Sequence, residues 1–265
     1  MDVYSARVLS LFVGSAPVLV SDGYYDADRG KRIVDGILEC SGLGKTYGTF
    51  TALSDFGTEI GSGRIVGLLG PNGSGKTTFI KMAAGLMRPD SGRITIGGFE
   101  PGAETKGMVS YLPDRMYLPL NMRVWGALDM FEDFYDDFDR DQAEQMLRRL
   151  DIDLSAKVRS MSRGTQEKVQ IALIMSRRAK LYLLDEPLSG VDPAARDYIL
   201  HTIISQYDRS GSILISTHLI SDVESILDDV IILSQGRLML QDSAENIRNR
   251  SGKTVDRWFR EVFRC

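Results

Sequence analysis

The chain has 265 residues and a net charge of −4, enough length for one large α/β domain. With no basic run, that charge argues against a nucleic-acid footprint, and two cysteines, Cys40 and Cys265, form neither a disulfide framework nor a metal-ligand spacing. No apolar stretch reaches the ~18 residues that a membrane-spanning helix needs, so a path across a bilayer would have to come from another chain.

Residues 1 to 37 form an N-terminal extension of unknown role. Val8–Val13 and Val18–Val20 are apolar, but Asp2 offsets Arg7 and leaves no positive flank for a signal segment. Either an extra packed element or a loose extension fits, with Asp22–Gly30 as a polar, Gly-rich linker. From Ile37 onward, short apolar runs at Ile37–Cys40, Ile65–Leu69, Ile94–Ile96, Met108–Leu112, Leu181–Leu184, Ile213–Ser216 and Val230–Leu233 read as strands. Helical stretches separate several of them, which is an α/β pattern.

Gly70-Pro71-Asn72-Gly73-Ser74-Gly75-Lys76-Thr77 follows the second of these runs and fits G-x-x-x-x-G-K-[ST]. In that loop backbone N–H groups wrap round phosphates, the lysine reaches the β/γ oxygens, and the hydroxyl ligates Mg²⁺. The stretch from Thr77 to Ala84 reads as a helix whose N-terminal N–H groups and dipole face the anion.

Residues 116 to 160 read as all-helical. Phe131, Phe134, Tyr135 and Phe138 fall at i, i+3, i+4 and i+7, a packing stripe, and Met146, Leu147 and Leu150 continue a second one. Asp137–Asp141 begins like a calcium loop, but Gln142 replaces the required glycine and Arg148 the bidentate Glu, leaving a solvated acidic face. Next, Ser162-Arg163-Gly164 precedes a helix predicted from Glu167 to Arg178, with Ser162 suited to an N-cap. Leu181–Glu186 is an apolar strand ending in two carboxylates. At the carboxyl end of a buried strand, Asp185 can hold Mg²⁺ and Glu186 can activate a water against the γ-phosphate. Ser189–Asp192 and Ser216-Thr217-His218 follow. Val255, Trp258, Phe259, Val262 and Phe263 are spaced as one face of a docking helix.

This order resembles the nucleotide-binding subunit of ABC transporters, of a bacterial exporter-like kind, over roughly residues 38 to 265. The resemblance implies a P-loop NTPase (RecA-like) core with a mostly parallel sheet, an antiparallel β part near the N-terminus and a helical subdomain at about 115–165. It implies ATP and Mg²⁺ as ligands. Tyr47 would stack on adenine, and Gly70, Pro71, Asn72, Gly73, Ser74, Gly75, Lys76, Thr77 and Thr78 would hold the phosphates. Ser162 and Gly164 of the signature motif would complete the ATP site of a second subunit. Thr77, Asp114 and Asp185 would serve the metal, and Glu186, His218 and Lys76 the chemistry. The implied partners are a second copy or another ABC subunit, and an integral membrane permease. That permease would hold the chain on the inner, cytoplasmic face of the membrane. Its coupling helix would enter a groove for which Tyr117, Leu118, Leu120 and Met122 are candidates. The competing reading is a soluble ABC-type ATPase in regulation, translation or DNA maintenance, whose members carry paired cassettes or a long coiled coil.

Two residues depart from the family pattern. The signature usually reads Leu-Ser-Gly-Gly-Gln, and here Met161-Ser162-Arg163-Gly164-Thr165 brings an arginine and loses the amide. Asp114 stands where a glutamine is usual, carrying a negative charge towards phosphate.

Overall fold

The computed structural model describes residues 25–26, 31–32, 36–207 and 210–263. The expectations for the apolar segment at 8–20 and for Cys265 lie outside them. Tyr25–Asp26 (β1) and Lys31–Arg32 (β2) pair as a short antiparallel ribbon.

Among the described residues, the remaining strands form two sheets. Phe50–Gly61 (β4), Gly36–Tyr47 (β3) and Ser91–Ile96 (β6) make an antiparallel sheet in that order. Ile65–Leu69 (β5), Val109–Leu112 (β7), Leu181–Asp185 (β8), Ser212–Thr217 (β9), Asp229–Ser234 (β10) and Arg237–Ser243 (β11) make the second, in the order β11-β10-β5-β9-β8-β7. It is parallel throughout except for the edge strand β11.

The central strands are buried at every position, and mostly apolar, because both of their faces are covered. Alternation along each strand decides which cover a residue meets. Ile65 and Leu69, Tyr182 and Leu184, Ile213 and Ile215, and Val230 and Ile232 point into the helical side. Val66 and Leu68, Leu181 and Leu183, Leu214, and Ile231 and Leu233 point towards the antiparallel sheet. Between the two sheets runs the helix Lys76–Ala83 (α1), with Phe79 packed edge-on against Phe56 at 4.8 Å.

Besides the β1–β2 ribbon, two strands escape the sequence pattern. β4 carries a bulge: Asp55 adopts φ +52°, and the register against β3 shifts repeatedly, so strict alternation is lost. β11 is an edge strand whose Arg237, Gln241 and Asp242 need no apolar partner. Short helices at Ala103–Lys106 (α2) and Ile220–Val223 (α7) and a longer one at Ala244–Ser251 (α8) add to the frame. Pro193–Gln206 (α6) covers the helical face. The tail helix Val255–Phe263 (α9) forms as expected, and all five of its apolar residues are buried.

The middle of the chain is helical, but in separate pieces. Val124–Phe134 (α3) stops before Tyr135, so the aromatic stripe is not one helix face. Phe131, Tyr135 and Phe138 still cluster, with ring centres 5.3 and 5.4 Å from Phe131, while Phe134 points out at 77% exposure. The break is set by Asp139, whose carboxylate accepts from Gln142 N and starts Arg140–Arg149 (α4). The signature helix Arg163–Met175 (α5) begins four residues earlier than its apolar pattern and ends sooner, capped by Ser162. Leu118, a groove candidate, is buried at 3% exposure and belongs to the core instead. Tyr117 and Leu120 remain exposed.

Arg177 joins these helices to the sheet. Its guanidinium pairs with both Asp137 oxygens at 2.9 and 3.0 Å and donates to Val109 O on β7 at 2.6 Å. It also lies over the Tyr135 ring, 3.8 Å from the centre. Asp137, the first acid of the calcium-like run, therefore serves an ion pair. Replacing Arg177 with Ala leaves Asp137 without its buried counter-ion and is expected to cost about 3 kcal/mol, read as a lower urea midpoint.

Candidate functional site

β5 feeds the loop 70–75 directly, and the loop opens α1. Its shape is imposed from outside. A Cβ on Gly70 would lie 2.1 Å from Leu233 O, and one on Gly75 would lie 2.4 Å from Ala52 O. Gly75 also has φ +108°, which a side chain disfavours. Held so, the first turn of α1 points unpaired N–H groups at the loop's centre, where an anion is favoured.

Lys76 folds back over the loop, its Nζ 2.8 Å from Gly70 O and 3.2 Å from Pro71 O. Burial pulls its ammonium below the ordinary lysine range, against the opposing pull of Glu186 and Asp185. The charge is thus kept in a poorly solvated place, where phosphate would stabilise it.

Two carboxylates stand opposite, at the end of β8. Asp185 Oδ1 accepts from Thr77 Oγ1 at 3.2 Å and from Ser216 Oγ at 2.6 Å. Its Oδ2 is buried and has no hydrogen-bond partner among the described residues. Burial raises the Asp185 carboxyl above its usual range; the two hydroxyls work against this, and the charges of Asp114 and Glu186 add to it. A spare carboxylate oxygen beside a threonine hydroxyl is a hard-oxygen donor set that fits Mg²⁺.

Glu186 takes φ +52°, an uncommon backbone for a side chain of its size. Ser216 holds it there, since Glu186 N donates to Ser216 Oγ at 3.0 Å and to Ser216 O at 3.1 Å. Its Oε2 lies 2.8 Å from His218 Nδ1, and its Oε1 lies 3.9 Å from Lys76 Nζ. Ser216 thus holds the Asp185 carboxylate and the Glu186 backbone, a role the sequence reading did not assign. The signal was available, as a hydroxyl closing the apolar run Ile213–Ile215 two residues before the histidine.

Lys76, Thr77, Asp185, Glu186, Ser216 and His218 are therefore in mutual contact. Asp114 follows β7 with Arg115 at 3.9 Å, and it reaches the cluster by its charge on Asp185. Tyr47 sits at the β3–β4 hairpin tip, 45% exposed, its hydroxyl on Met87 Sδ. Asn72 and Gly73 are exposed at the loop's rim, Ser74 is buried, and Thr78 is half-buried. Ser162 and Gly164 belong to a different constellation. Ser162 Oγ accepts from Thr165 N at 3.2 Å, and the Cα of Gly164 faces Asp192 Oδ2.

A family model described as ABC transporter matches residues 53–189, which span the phosphate loop, the signature helix and both carboxylates. The chain belongs to the ABC transporter ATP-binding family. It is 31% identical over 232 residues to an uncharacterized ABC transporter ATP-binding protein of Bacillus subtilis, YdbJ, covering 84% of this chain and 74% of that one. It is 29% identical to the linearmycin resistance ATP-binding protein LnrL of the same species, covering 82% and 72%. A solved structure of an ATP-binding subunit of an ABC transporter superposes with a TM-score of 0.75 at 30% identity, covering 86% of this chain and 99% of that one. The parallel core beside an antiparallel sheet is thus the ABC cassette fold, and the chain is an ATP-binding subunit of an ABC transporter. The reading as a soluble regulatory ATPase is not favoured.

Ser216→Ala removes a donor from Asp185 and an acceptor from Glu186 N without touching the phosphate loop. ATP turnover is expected to fall about 10- to 100-fold while a fluorescent ATP analogue still binds. A steady-state ATPase assay alongside an equilibrium titration checks this.

Proposed function

We propose that this subunit hydrolyses Mg-ATP between two cassettes and uses the cycle to drive a separate membrane permease. One observation carries the reading: the Glu186 carboxylate is held between His218 Nδ1 and Lys76 Nζ, next to the buried Asp185. A carboxylate so placed can take the proton of a water attacking the γ-phosphate, giving ADP and inorganic phosphate. His218 keeps Glu186 oriented. Lys76 and the loop amides offset charge on the phosphates, and Tyr47 offers a face to the base. Thr77 and Asp185, with Asp114 close by in charge, would hold Mg²⁺, which neutralises phosphate charge when bound.

Two copies, or this chain and a related subunit, are needed because Ser162 and Gly164 keep company with the loop 189–192, away from their own phosphate loop. The N-terminus of α5 offers free N–H groups and a positive dipole end to a nucleotide carried by the other subunit. The docking surface for the permease is assigned to the helical region, where Tyr117, Leu120 and Trp125 are exposed. Through that partner the subunit would sit on the inner face of the membrane. Among the described residues, no helix is long and apolar enough to cross a membrane. The family name and the resistance-associated relative support transport as the output.

Glu186→Gln preserves size and removes the proton acceptor. Turnover is expected to drop by roughly 10²-fold or more, and size-exclusion with Mg-ATP should show a stable dimer. A monomer that hydrolyses at the wild-type rate would refute the assignment.

Complementation tests the shared site. Lys76→Ala lacks the phosphate-binding half and Ser162→Arg lacks the signature half, so each alone is expected to be inactive. Mixed, they can form one complete site per dimer and should recover part of the activity. No recovery, with rates strictly linear in protein concentration, would leave a monomeric ATPase.

A further inference from the structure

Arg163 is the residue by which this chain's signature departs furthest from the usual one, and it stands at the first position of α5. A cation there has the wrong sign for the helix dipole, so its presence calls for a compensating contact. The structure supplies one. Gly190, at φ +77°, is bare towards Arg163: a Cβ on it would lie 2.7 Å from the guanidinium carbon, 2.9 Å from Nε and 3.0 Å from Nη1. A side chain at 190 would have to push the guanidinium end of Arg163 aside.

One turn along the helix, Glu167 lies 3.8 Å from Arg163 Nε and is largely buried. Gln170 donates to the far oxygen of Glu167 at 3.4 Å and accepts from Tyr117 N at 3.3 Å. Burial raises the Glu167 carboxyl, as does the charge of Asp114, while Arg163 opposes both. Arg163 and Asp114 thus bear on the Glu167 carboxyl with opposite signs, behind the larger effect of burial.

The loop that Arg163 covers begins at the general base. Ser189 N donates to Glu186 O at 3.0 Å, and Val191 beyond Gly190 is buried. At the other end of the contact, Asp192 Oδ2 faces Gly164, 3.8 Å from where a Cβ would be. The loop thus meets the first turn of α5 at two glycine positions, with the arginine laid across one of them.

We propose that Arg163 is a positioning residue: its guanidinium clips the loop Ser189–Asp192 to the signature turn, tying Ser162 and Gly164 to the Glu186 of their own chain. The proposal rests on the shared-site reading above. In a dimer, Ser162 and Gly164 meet the partner's nucleotide, so the clip transmits occupancy of one site to the base of the other. Arg163 does this as a flat, forked group seated on bare backbone, and a lysine of the same charge cannot fill that seat.

The test is a double-mutant cycle read by steady-state ATPase, with a fluorescent ATP analogue reporting binding. Arg163→Gly, which restores the usual signature residue at an exposed helix end, should keep analogue binding within about twofold. It should lower kcat about tenfold and bring the Hill coefficient for ATP to about one. Arg163→Lys should behave like Arg163→Gly. Gly190→Ala should impair kcat at least as much, by displacing the guanidinium and straining the φ +77° turn, and the double variant should be no worse than Gly190→Ala alone. The proposal is overturned if the two effects multiply, if the Hill coefficient is unchanged, or if Arg163→Lys matches wild type, since charge alone would then account for the residue. The complementation experiment separates the two failures. Rescue by mixing alongside a multiplicative cycle removes only the clip, whereas failure of rescue removes the shared site and the clip with it.

Discussion

Two backbone carbonyls, Ala52 O and Leu233 O, press on the phosphate loop where Gly75 and Gly70 have no Cβ to resist them. Everything catalytic is arranged from that clamp. Ala52 belongs to the antiparallel sheet and Leu233 to the parallel one, so the loop's shape depends on how the two sheets pack about α1. Phe56 against Phe79, Leu68 beside Ile231 and Leu233, and a fully apolar β5 hold that packing. The loop is then not a flexible ribbon awaiting a ligand. It is a preformed cradle, and preformed donors cost little reorganisation when charge develops.

Electrostatics in the cradle run against its own groups. Burial lowers the Lys76 ammonium and raises the Asp185 carboxyl, so each group is in a place that disfavours its charged form. Their opposite signs offset part of that cost, and Ser216 and Thr77 offset more by hydrogen bonds. Asp185 Oδ2 is left unsatisfied among the described residues. A bound phosphate and its metal would relieve that residual cost, and strained or undersatisfied groups concentrate at working sites. The positive φ of Glu186 belongs to the same account. The turn after β8 lifts Glu186 out of the strand direction, and Ser216 holds its backbone where the carboxylate reaches both His218 and Lys76.

Much of this was legible in the sequence where one local rule dominates. Continuous apolar runs marked the central strands because both faces are buried, and Ile65–Leu69 coincides with the observed β5. The glycine-lysine spacing marked the loop because close backbone approach tolerates no other residues there. Legibility failed where tertiary context overrules period. β4 was hidden by its bulge at Asp55, and β11 by the polar residues allowed on an edge. The aromatic stripe misled because Asp139 is a stronger helix start than Phe134 and Tyr135 are helix continuations. Leu118 carried no mark of its burial, since a lone leucine in a loop reads the same inside or out. Ser216 was visible as a letter but silent as a role, because its partners, Asp185 and Glu186, stand at the end of another strand and no local spacing encodes them.

The helical layer meets the sheet through Arg177, which binds Asp137 on one side and Val109 O on the other. β7 runs from Val109 to Leu112, and Asp114 follows two residues beyond its end. The charge of Asp114 raises both the Asp185 and the Glu167 carboxyl, with burial the larger cause in each. Arg163 stands on the signature turn 3.8 Å from Glu167 and opposes that rise. The acidic and the basic departure from the usual motifs therefore bear on one glutamate with opposite signs.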